Sequence, residues 1–92
     1  MVADVDMIFL QCDIMSLKSI LAASQSFLSC EHRLHILIAN AGITVTAIVL
    51  TADDVEAQFG VHHVAHALFI KTLLPDVQHT AKISGHARIV IV

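Results

Sequence analysis

Leu34-His35-Ile36-Leu37-Ile38-Ala39-Asn40-Ala41-Gly42 decides the fold, because an apolar run stops there abruptly in a small polar turn. A parallel strand covered by helices on both faces reads as a near-continuous apolar segment. In open sheets of that kind ligands bind beyond the carboxyl ends of the strands. Asn40, Ala41 and Gly42 stand at that end. Glycine takes positive φ at little steric cost, which is the role expected of Gly42 in the turn.

Working outward, Asp6 to Gln11 contains Met7-Ile8-Phe9-Leu10, a short apolar run expected to form a buried strand ending at Cys12-Asp13. Ser16 offers an N-cap for a helix whose apolar positions Leu17, Ile20, Leu21, Phe27 and Leu28 recur near helical spacing, and Glu31-His32-Arg33 closes it. Beyond the turn, Ile43 to Leu50 reads either as extended structure or as a loop. Thr51 is the expected N-cap of a second helix, with Asp53, Asp54 and Glu56 facing the positive end of its dipole. Val55, Phe59, His62, His63, His66, Leu68, Phe69, Leu73 and Leu74 carry this long helix to an expected end at Pro75. Gln78 to Ala87 reads as a polar connection and Arg88 to Val92 as a third strand. The order is β-α-β-α-β, an α/β segment of a doubly wound parallel sheet.

Composition narrows the class. Ninety-two residues suffice for one small domain, in a size range where only about two-thirds of the unfolded surface is buried. The chain is 57% hydrophobic, with mean hydropathy +0.80. Polar residues nevertheless interrupt every apolar stretch before the about 18 to 20 residues that span a bilayer, so no membrane span is expected. The apolar excess suits a segment from the interior of a larger α/β domain. A net charge of −3 with five scattered Lys and Arg argues against a nucleic-acid surface, which needs a basic stripe. Met1 to Asp6 lacks the basic start of a secretory signal. Cys12 and Cys30 are too few for a disulfide framework and form no Cys-x-x-Cys pair, so a reducing, cytoplasmic setting is the default.

The Asn40-Ala41-Gly42 turn, with Asp13 at the preceding strand end and Phe59-Gly60-Val61-His62-His63-Val64-Ala65-His66 on the following helix, resembles the short-chain dehydrogenase/reductase family. Order and spacing fit from about Val5 to Val92, and Val61 to Leu74 looks most like the retinol dehydrogenase-like branch. The resemblance implies residues 1–92 of a partial Rossmann domain, an NAD or NADP cofactor, a small-molecule substrate, and oxidation of an alcohol or reduction of a carbonyl. It also marks departures. The family's Gly-rich turn is not matched by Gly42, Gly60 and Gly85, and its catalytic Tyr is missing because the 92 residues contain none. The segment therefore looks like the middle of an enzyme, lacking both the N-terminal Gly-rich motif and the C-terminal Tyr/Lys segment and inactive by itself. Two alternatives stand beside this reading: a non-catalytic remnant or interaction module, and another flavodoxin-like binding domain.

By the same resemblance Asn40, Ala41 and Gly42 approach the adenosine and ribose of the cofactor. Asp13 accepts from the adenine amino group and Ile14 adds a backbone contact; the competing role for Asp13 is to cap the following helix. His62 takes the position of the family's relay Asn, Ala65 replaces a Gly, and Asp54 stands where many relatives have Gly. A packing histidine is the alternative for His62. His62 and His66 share one helical face at metal-ligand spacing, but no neighbouring Glu or third ligand is marked, and no metal is expected. The cysteines read as structural thiols. In the family's sheet, two N-terminal strands separate the strand ending at Asp13 from the one ending at Asn40. The first strand accordingly has no expected partner within this sequence, and no oligomeric state follows from the residues.

Overall fold

The computed structural model describes residues 6–43 and 48–92, so residues 44–47 of the ambiguous Ile43–Leu50 segment lie outside it. Ser16 begins the first helix as its sequence demands: its side chain accepts from the Ser19 N–H, and α1 (Leu17–Cys30) follows. Ile20, Ala23 and Ser24 form its buried stripe. β1 (Ile36–Ala39) follows, then α2 (Ala57–Phe59), a π-helical stretch (Gly60–Ala65), α3 (His66–Ser84) and β2 (Arg88–Ile91). β1 and β2 are parallel, with Ile36 opposite Arg88 and Ala39 opposite Ile91. α1 packs on α3, and α3 packs on β1. The fold is α/β, and among the described residues one β-α-β unit of the expected β-α-β-α-β is formed, consistent with a partial Rossmann domain.

The expected first strand is the main departure. Asp6 to Gln11 forms no strand, and Met7, Ile8 and Phe9 are 87%, 80% and 87% exposed. A strand has no internal hydrogen bonds and exists only beside another strand, and among the described residues no strand pairs with this segment. The chain is correspondingly open: its radius of gyration is 14.6 Å, against about 12 Å for a compact domain of this length. β1 is also covered on one face only. Leu37 and Ala39 are buried, whereas Ile36 and Ile38, expected to be buried on the opposite face, are each 59% exposed.

Two helix boundaries move, each for a physical reason. Thr51 does not cap the second helix; its hydroxyl accepts from the Asp53 and Val55 N–H groups in a turn, and Glu56 caps α2 through both carboxylate oxygens, accepting from Gln58 and Phe59. Asp53 instead reaches back 36 residues and accepts from Leu17 N–H, placing a carboxylate at the positive end of α1. Pro75 lies inside α3 and does not end it. Proline removes one hydrogen bond, to the Lys71 carbonyl, but Val61, Ala65, Leu73, Val77 and Thr80 continue one buried ladder past it. The helix stops at Gly85, whose φ of 88° is the left-handed conformation that glycine supplies at helix C-termini. Most of the expected polar connection from Gln78 is therefore helix.

Candidate functional site

β1 delivers Asn40, Ala41 and Gly42 to its carboxyl end, where all three are exposed. Asn40 makes no side-chain hydrogen bond among the described residues. Across a cleft of about 230 Å³, Cys12, Ile14 and Ile20 face Ile38, Ala39, Asn40 and Ala41, with His66 and Phe69 from α3 among its walls. This volume falls short of the roughly 300 to 1,000 Å³ of a complete small-molecule pocket, and the lining amounts to one wall of a site. The residues on either side of Asp13 thus face Asn40 across the cleft, while Asp13 is not among its lining residues. Asp13 itself forms a tight turn: its Oδ1 accepts from Met15 N–H, its carbonyl accepts from Ser16 N–H, and its own N–H donates to Ser19 Oγ. Burial, then the charge of Asp13, pushes the Cys12 thiol up, which keeps it protonated.

The expected role of Gly42 needs correction. Its φ is not positive. A Cβ there would meet His62 Cε1 at 2.7 Å, so a larger residue displaces the His62 ring. His62 leans from the π-helical stretch over the turn, and its Nε2 lies 2.8 Å from the Ile43 carbonyl oxygen. π-helical turns are rare and cluster at functional sites. Gly60 opens this one and backs onto Thr51, whose Cγ2 would lie 2.6 Å from a Cβ.

The neighbouring histidines diverge. His63 stacks on Phe59 with ring centroids 5.2 Å apart. His66 is 9% exposed, and its Nε2 is buried without a hydrogen-bond partner among the described residues. Among those residues, no three His, Cys, Asp or Glu gather as metal ligands, and no helix is long and apolar enough to cross a membrane. Sequence reading missed the place of His66 and Phe69 in the cleft and the contact of His62 with Ile43. The Gly at 42 was the available signal for the latter, a residue that marks close approach as readily as a turn.

No family model matches the chain. Sequence relatives define its class: over most of its length it is homologous to short-chain dehydrogenases/reductases. It is 41% identical over 78 residues to human retinol dehydrogenase 12, covering 85% of this chain and 23% of that one. An uncharacterized oxidoreductase of Schizosaccharomyces pombe is 40% identical over 74 residues, which is 80% of this chain and 22% of the relative. The short-chain dehydrogenase/reductase drtF of Aspergillus calidoustus is 39% identical over 82 residues, or 89% and 26%. The crystal structure of an uncharacterized protein from Mycobacterium paratuberculosis superposes with a TM-score of 0.59 at 32% identity, covering 71% of this chain and 23% of that one. The chain spans about a quarter of the length of the curated relatives it matches.

Proposed function

We propose that this chain forms the nucleotide-facing part of an NAD- or NADP-dependent oxidoreductase that transfers a hydride between the cofactor and a small alcohol or carbonyl substrate. The cleft beyond β1 carries the reading, since it sets Asn40 and Ala41 opposite Ile14. Asn40, Ala41 and Gly42 would hold the ribose side through side chain and backbone, and Asp13 with Ile14 the adenine. In such chemistry the cofactor carries the hydride, while the protein supplies orientation and a proton route. Within residues 1–92 there is no Tyr to serve as the family's acid/base, so the chain alone is expected to show no turnover. A reducing compartment suits its two free thiols.

A second reading, a non-catalytic interaction module, draws on the bare apolar face of β1. Titrating the isotope-labelled chain with NAD+ and NADP+ separates the two. Chemical-shift changes confined to Asp13, Ile14 and Asn40 to Gly42 support the nucleotide site; their absence, or changes elsewhere, favours the module. Cofactor-dependent turnover above that of a denatured control would defeat the expectation of inactivity.

A further inference from the structure

The short contact between His62 and the Ile43 carbonyl favours the tautomer with the proton on Nε2. A carbonyl oxygen can only accept, so at 2.8 Å the Nε2 of His62 acts as the donor. The Ile43 N–H also lies 3.4 Å from Nε2, but a protonated ring nitrogen has no lone pair to offer it. In the neutral ring, Nδ1 is then the acceptor, since the bond made by one nitrogen sets the state of the other.

Nδ1 is placed at the strand end. It lies 3.3 Å from where a Cβ on residue 42 would stand, so glycine at 42 leaves its approach open. Among the described residues it has no hydrogen-bond partner, and the side chain is exposed. We propose that His62 is a fixed hydrogen-bond acceptor of the site, its Nδ1 receiving the hydrogen of a hydroxyl group bound beyond the end of β1, either a ribose diol or a simple alcohol. This rests on the reading of that strand end as a ligand site.

The test is ring-nitrogen NMR of the histidine-labelled 92-residue chain, free and with NAD+ or 1-hexanol. In the free chain, His62 is expected to show a protonated Nε2 and a bare Nδ1; the opposite tautomer overturns the proposal. On titration the Nδ1 resonance is expected to move together with the Asn40 and Gly42 amides, with NAD+ alone if the donor is a ribose diol and with 1-hexanol as well if any alcohol serves. Amide shifts with Nδ1 unmoved leave the ligand site standing and remove His62 from it. No shift at either defeats both readings. His62→Phe keeps the bulk without the acceptor and is expected to weaken the responding ligand about five- to tenfold, the factor one net hydrogen bond supplies, with partial recovery in His62→Gln.

Discussion

Gly42 and His62 are fitted to one another: the three atoms nearest to where a Cβ on residue 42 would lie all belong to the His62 ring. The turn at the end of β1 and the π-helical stretch are thereby held together by one hydrogen bond, to Ile43, and one close contact. A side chain on either partner changes what the other can do.

Gly42→Ala is expected to push the His62 ring aside and cost about 1 kcal/mol, the net worth of the lost Ile43 bond plus mild overpacking. In a His62→Ala background the same substitution should cost close to nothing, because the obstructing atoms are gone. Urea unfolding of the two single variants and the double variant measures this. Additive effects would mean that Gly42 is needed for a different reason.

Asp54 has a φ of 59°, where an L-residue is strained and glycine is not. Asp54→Gly should therefore stabilise the chain by about 0.5 to 1 kcal/mol, the relief of strain exceeding glycine's greater unfolded-state freedom. Asp54→Val should destabilise it. Thermal midpoints of the pair at one pH check the order.

Thr80 is fully buried and joins α3 to the entrance of β1, donating to the Asp76 carbonyl at 2.7 Å and accepting from Leu34 N–H at 2.7 Å. Thr80→Val keeps the shape and orphans the Leu34 N–H, for an expected loss of about 1 to 3 kcal/mol. Thr80→Ser retains the hydroxyl and should lose less. Hydrogen exchange at the Leu34 amide should quicken in the Val variant alone.

Glu56 should give α2 an acid-sensitive start. Its carboxyl is lowered chiefly by the Gln58 N–H and next by the Phe59 N–H. A carboxyl lower in the folded state than in the unfolded chain stabilises fully above the unfolded value of about 4.3, and that stabilisation drains away as pH falls through the folded value. Wild type should exceed Glu56→Gln in urea midpoint at pH 7, with the gap closing below about pH 4.

The parts of the fold that were legible are those decided within a few residues. Ser16 and the stripe at Ile20 sufficed for α1, and the apolar runs at Ile36 and Ile89 for the parallel pair. Local pattern failed where the deciding partner is distant or missing. Met7 to Leu10 has the composition of a strand but no ladder to join. Asp53 looked like the start of its own helix and instead serves α1. Pro75 looked like a stop, yet burial of Leu73 and Val77 around it outweighs one lost hydrogen bond. At the candidate site, Ile14 comes to face Asn40 without the strand expected before it, and the His62 contact depends on a π-helical turn that no spacing rule announces.

The open side of β1 should govern self-association. His35 and Ala39 turn their carbonyls to β2, where Arg88 and Val92 donate to them. Residues alternate along a strand, so Ile36 and Ile38 direct their backbone groups to the other edge, which is unpaired among the described residues. Both side chains are also 59% exposed, giving an apolar, unpaired edge of the kind that templates pairing between chains. Lysine is a frequent guard of such edges, and Ile38→Lys is expected to raise the concentration at which light scattering begins. Ile83 is 50% exposed but sits on α3 rather than on a strand, so Ile83→Lys serves as the control of equal charge. A larger effect at 38 than at 83, with unchanged circular dichroism, assigns the association to the edge; equal effects would assign it to net charge alone.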